Sequence, residues 1–213
     1  CDGWVEKVWK VGEQTSSQLE LVGNTGGDVI KANIERAEGL KDARWLQAAN
    51  PHSGVAVICA GGPSLKDEIA SIAAHRASGA EIFACNAVPS VLNVFGIRAD
   101  FHVMLDARPD NAAFVADTWP DTTCLYASQC DEAVHDAAGV RLTLWHPAFP
   151  GVLDIVGAGK ERAYIGGGTT CGMKAVTIAW ALGYRTIHLY GFDSCYRDGA
   201  HHAYSQPLND GEQ

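Results

Sequence analysis

Val55-Ala56-Val57-Ile58-Cys59-Ala60-Gly61-Gly62-Pro63-Ser64-Leu65 is six apolar residues followed by a glycine pair, a proline and a hydroxyl residue. The apolar run suits a buried strand, and the Gly-Gly-Pro cluster breaks it. Ser64 stands where an N-cap belongs and opens a segment with helical character over 64–78. A strand that turns through glycines into a helix is the opening unit of an open parallel sheet. Ligands of such sheets bind beyond the carboxyl ends of the strands.

Downstream the same alternation continues. Strands are expected over 55–60, 81–85, 101–105, 123–127, 141–145 and 186–190, with a short helix over 89–95 and an apolar helix over 170–182. The fold class read from this is α/β, a Rossmann-like, mainly parallel sheet with helices on both faces. Upstream, Ile30, Ile34, Leu40 and Leu46 have roughly helical spacing, and Asn50-Pro51-His52-Ser53-Gly54 is a breaker cluster. An N-terminal helical arm over 1–50 and a nucleotide-binding domain over 51–213 are expected. The first residue is Cys1 and the last residues form no closing element, so the chain reads as a fragment of a longer protein.

Composition narrows the classes. With 47% hydrophobic and 19% charged residues, the chain of 213 residues is too apolar for a disordered one and has no run approaching a membrane span of about 20 residues. A formal net charge of -9 excludes a general nucleic-acid binder, which needs clustered Lys and Arg. The seven cysteines are odd in number and form no C-x-x-C pair, so they read as reduced core thiols of a cytoplasmic protein.

Five stretches carry chemistry. Gly61, Gly62, Pro63 and Ser64 let a backbone approach a phosphate with no Cβ in the way, with Ser64 capping the helix behind them. No third glycine completes a dinucleotide fingerprint, which points to a mononucleotide. Gly166-Gly167-Gly168-Thr169-Thr170 opens the apolar helix as a second donor-rich turn, but Met173 stands where a phosphate-binding loop needs Lys. Cys171 beside it reads as a small buried hydrophobe or as a helix-terminus nucleophile. Asp106 and Asp193 each end a strand and suit Mg2+ or a ribose hydroxyl; as carboxylates at neighbouring strand ends they would strengthen one site. His201, His202 and Tyr204 follow Asp193; adjacent histidines on an extended segment face opposite ways, so at most one enters the site as a base. Asn86 closes the 81–85 strand and suits a base, a ribose or a helix start. His75, His135, His146 and His188 read as structural or surface residues.

The order of these motifs, strand-Gly-Gly-Pro-Ser-Leu, Cys-Asn, Ala-Asp-Phe-His-Val-Met-Leu-Asp, Gly-Gly-Gly-Thr-Thr and Ala-Leu-Gly-Tyr-Arg-Thr-Ile-His-Leu-Tyr-Gly-Phe-Asp, resembles the archaeal-type 6-hydroxymethylpterin diphosphokinase-like family. That family also contains motility-associated proteins implicated in flagellin glycosylation. The resemblance covers about residues 55 to 204. It implies a Rossmann-like domain and, for the pterin members, Mg2+-dependent diphosphate transfer from ATP to a hydroxymethyl group. Gly61, Gly62, Pro63 and Ser64 would then cradle phosphates, Asp106 and Asp193 serve metal or ribose, and Gly167, Gly168 and Thr169 complete the cleft. The same order is similar to bacterial sialyltransferases that use a cytidine monophosphate sugar. There a histidine base and phosphate-binding tyrosines would correspond to His201 or His202 with Tyr196 or Tyr204. The expected function is therefore a nucleotide-dependent transferase, with diphosphate transfer first, glycosyl transfer from a nucleotide sugar as the alternative, and a non-catalytic nucleotide-binding or assembly protein as a further one. The arm is compatible with a homo-oligomer.

Overall fold

The computed structural model describes residues 25–149, 151–157, 162–193, 195–197 and 202–203. After α1 (Gly27–Glu38) and β1 (Arg44–Trp45), strand β2 (His52–Cys59) leads through a 3-10 turn (Pro63–Asp67) into α2 (Ile69–Ala77). Then follow β3 (Glu81–Cys85), α3 (Val88–Val94), β4 (Phe101–Met104), a second 3-10 segment (Pro109–Val115), β5 (Thr123–Ala127) and α4 (Glu132–Ala138). Strand β6 (Leu142–Pro147), α5 (Val152–Val156), β7 (Tyr164–Ile165), α6 (Cys171–Ala181) and β8 (Tyr184–Tyr190) complete the described chain.

Every pairing is parallel, in the order β1-β6-β5-β4-β3-β2-β8, with β7 also on β6. Period-two alternation divides the core between the two faces. Ala56 and Ile58 of β2, with Phe83 and Cys85 of β3, pack with Cys171, Ala175 and Ile178 of α6. Val57 and Cys59, with Ile82 and Ala84, pack with Ile72 of α2 and Val88 and Leu92 of α3. Strands buried on both faces read as unbroken apolar runs, which is why they were visible as short continuous stretches.

From β2 the chain adds strands in one direction as far as β6, then returns to place β8 on the other side of β2. The order reverses between β2 and β8, and a crevice opens at such a switch point. The boundary expected near residue 51 falls between two strands of one sheet: β1 pairs with β6, and Ile34 of α1 packs on Val152 and Val156 of α5. Behind the first glycine turn, the expected helix over 64–78 is a 3-10 turn followed by α2.

Candidate functional site

Two close approaches shape the switch point. At Gly62 a Cβ would collide with Asp193 Oδ1 and lie 2.6 Å from the Gly191 carbonyl; at Gly191 (φ 72°) it would collide with the Ala60 carbonyl. Only glycine lets the turns after β2 and β8 press together like this. Their backbones are bonded there: Ala60 N–H donates to Tyr190 O (2.8 Å) and Gly62 N–H to Gly191 O (2.9 Å).

Asp193 lies against the first turn. Its carboxylate accepts from Ser64 Oγ (2.6 Å) and Ser64 N–H (3.0 Å), with the Cys195 thiol 3.6 Å away. Desolvation pushes the carboxyl up from 3.8, but the bonds from Ser64, from its own backbone N–H and from Cys195 together outweigh it and the net shift is downward. Ser64 is thus not the helix cap expected from the sequence: its hydroxyl donates to Asp193, and the 3-10 turn is capped by Gly62 with no side-chain bond. Of the N–H groups of this turn, those of Gly62, Ser64 and Leu65 face protein acceptors, with Leu65 N–H donating to Gly62 O (3.0 Å). Two described residues after β8 also meet this turn. Arg197 pairs with Asp67, and Ala203 N–H donates to Gly61 O (2.9 Å), which brings His202 beside the turn. His201 and Tyr204 lie outside the described residues, whereas Tyr196 is exposed.

The second turn is a true helix start. Gly167 (φ 81°) and Gly168 (φ 95°) are left-handed, and Thr170 caps α6 by accepting from Met173 N–H (3.3 Å). With all strands parallel, α6 returns toward β8 from the carboxyl edge, so its N-terminus faces the crevice. A Cβ on Gly172 would lie 3.0 Å from the Phe192 ring and 3.3 Å from Ala60 Cβ. Cys171 is no nucleophile: its thiol donates to Val103 O (3.1 Å), and hydrogen bonding with Cys85 together with burial pushes it well above 9.0.

Asn86 and Asp106 stand on the other wall. Asn86 (φ 50°) is the single non-glycine residue of positive φ among the described residues. The register Cys59↔Ala84 sets it level with Gly61. Asp106 binds Arg108 through its backbone N–H (3.0 Å) and Nε (3.2 Å). It lies two residues beyond β4, which β3 and β2 separate from β8. Asp106 and Asp193 are therefore not at neighbouring strand ends as expected: at about 4.8 Å per strand, the ends of β4 and β8 are roughly 14 Å apart. Carboxylate oxygens bind Mg2+ at about 2.1 Å, so one ion shared by both residues would need their carboxylates closer together than these two strand ends are. Among the described residues no group of three His, Cys, Asp or Glu side chains is arranged to hold a metal.

Three features escaped sequence reading. Lys174 is 1% exposed, with Nζ donating to Ile165 O (2.8 Å), directly before the second turn. Its signal was a charge inside an otherwise apolar helix. His102, in the apolar 101–105 run, is fully buried beneath Asn86. Thirdly, Ser128 Oγ bonds His146 Nδ1 (2.7 Å), whose Nε2 meets Glu38 Oε1 (3.0 Å). Ser128 and His146 are 0% exposed, so this network joins α1 to the sheet and offers no nucleophile to a substrate.

With this geometry in view, the chain matches the profile of the family described as 6-hydroxymethylpterin diphosphokinase MptE-like over residues 25–199. The chain belongs to the MptE-like family. This MptE-like chain also resembles the solved structure of the MAf glycosyltransferase from Magnetospirillum magneticum AMB-1, with TM-score 0.65 and 21% identity over 91% of this chain. That likeness is one of fold, and it spans 31% of the MAf chain. No curated protein sequence matches the MptE-like chain at a significant level. No helix among its described residues is long and apolar enough to cross a membrane.

Proposed function

We propose that the chain is a nucleotide-dependent transferase that binds a nucleotide sugar at the β2–β8 switch point and passes the glycosyl group to a hydroxyl acceptor. The observation that carries this reading is the convergence at one crevice of the Gly61–Ser64 turn, Asp193, Asn86 and the N-terminus of α6. Asp193 already supplies the anion at the first turn, so a donor phosphate is assigned to the second. There Gly167, Gly168 and Thr169 would line it, and the first N–H groups and partial positive charge of α6 would face it.

In this reading Asp193 keeps lone pairs for a sugar or ribose hydroxyl, and Asn86 faces the base or ribose. The acceptor oxygen attacks the anomeric carbon as the bond from that carbon to the phosphate oxygen breaks. The electron pair leaves with the nucleotide, and His202, or its neighbour His201, takes the acceptor proton. Support comes from the fold shared with a glycosyltransferase and from the separation of Asp106 and Asp193.

A second reading, diphosphate transfer from ATP to a hydroxymethyl-type acceptor, is favoured by the description of the family. Any Mg2+ it used would come with the polyphosphate and meet one carboxylate at most. Thermal unfolding with CMP, CMP-sugars, GDP-sugars and ATP, with and without Mg2+, separates the two, because a ligand that binds only the folded state raises the melting temperature. Metal-independent stabilisation by CMP or a nucleotide sugar is the expected result. Stabilisation by ATP and Mg2+ alone would replace it with diphosphate transfer, and no shift with any nucleotide would sink both.

A further inference from the structure

We infer that His102 and Tyr126 are positioning residues that hold Asn86 in its left-handed conformation for donor binding, a role that rests on the nucleotide site proposed above. Asn86 ends β3 beside the first turn, and its backbone is held at both polar atoms. Its N–H donates to Val103 O (3.1 Å), and its carbonyl accepts from His102 Nε2 (2.7 Å). A carbonyl only accepts, so Nε2 carries the ring proton and Nδ1 is an acceptor. Tyr126 OH lies 2.8 Å from Nδ1 and donates to it, which fixes this tautomer.

The relay is dry. His102 and Tyr126 are both 0% exposed, so neither bond is open to bulk water. Burial, with Arg141 adding to it against the Asn86 bond, pushes the imidazole down to about 4, and the ring stays neutral in the donating tautomer at neutral pH. A left-handed backbone is uncommon at a non-glycine residue, although asparagine adopts it more readily than most, and such residues cluster at ligand sites where their surroundings hold them. Asn86 also sits near the second turn: Val103 O accepts both its N–H (3.1 Å) and the thiol of Cys171 (3.1 Å), the first residue of α6.

CMP is the probe for the test. Tyr126→Phe and His102→Leu should each weaken CMP binding roughly tenfold, about as much as Asn86→Ala, the scale of one lost hydrogen bond. Combined with Asn86→Ala they should add nothing further. His102→Gln, whose amide can still donate to the Asn86 carbonyl, should recover most of the affinity. Tyr126→Phe removes a single oxygen and serves if His102→Leu fails to fold. Crystal structures of the variants give a readout that needs no ligand: the Asn86 φ should leave the left-handed region in Tyr126→Phe and return to it in His102→Gln. An unchanged φ in Tyr126→Phe overturns the positioning role, as does a loss of affinity undiminished in the Asn86→Ala background. If the wild type binds no CMP, the nucleotide site fails while the φ measurement still decides whether the pair holds Asn86.

Discussion

The turn at Gly61–Ser64 and the turn at Gly166–Thr170 look alike as text, each a glycine run followed by hydroxyl residues before an apolar segment. In the folded chain they differ in who receives their N–H groups. The first is closed by the protein itself: Asp193, Gly191 and Gly62 accept the hydrogens of Ser64, Gly62 and Leu65, and Arg197 and Ala203 of the chain after β8 also meet it. The second leads into an 11-residue helix capped by Thr170, and nothing lies within 4 Å of a Cβ built on Gly166. Glycine at the first turn permits protein to approach protein. At the second, Gly166 faces open space, whereas a Cβ on Gly167 would collide with Thr177 Oγ1 and one on Gly168 would lie 3.2 Å from Met173 Cβ.

The largest expected effect falls on the strand end between the turns. His102 has its pKa lowered from 6.5 to about 4, and burial lowers His135 to about 4 as well. The unfolded chain therefore binds protons that the folded one refuses, so stability is complete above pH 6.5 and declines as pH falls toward 4. From His102 alone the loss is about 3 kcal/mol, and His135 adds in the same window. Urea denaturation across that range checks it, and a flat profile would contradict the buried neutral relay.

Gly62→Ala comes next. Its Cβ would strike Asp193 and the Gly191 backbone, so a loss of about 3 kcal/mol or more is expected by thermal denaturation. Ser64→Ala, which removes the Oγ bond to the Asp193 carboxylate, should cost about 1.5 kcal/mol by the same measurement. At the second turn, Thr170→Ala should cost about 1 kcal/mol through the lost cap. Gly166→Ala should change stability by less than about 0.5 kcal/mol, since its Cβ meets open space and its φ is not left-handed. Equal costs for Gly62→Ala and Gly166→Ala would erase the contrast between the turns.

Much of the sheet was legible because its strands are buried on both faces. The 81–85 and 123–127 runs stand in the fold as β3 and β5, and the 170–182 helix is α6 with one residue fewer at each end. The two-residue strands β1 and β7 were not legible, being too short to show a period. For the site, the glycines and Asp193 stood out by position in their motifs. His102 and Tyr126 did not, because a polar residue inside an apolar run gives no sign of the partner that makes its burial tolerable.

By itself the sequence determined a parallel α/β sheet with glycine turns at strand ends, since hydrophobic period and turn chemistry act over a few neighbouring residues. The tertiary structure alone decided which turns meet. Placing β8 beside β2 puts Asp193 on Ser64 and leaves Asp106 just beyond the end of a strand with β3 and β2 between it and β8, and no local pattern records the order of strands. Strand order sets which distant backbones share a crevice, and here it gave one glycine turn an internal carboxylate and left the other facing the cleft.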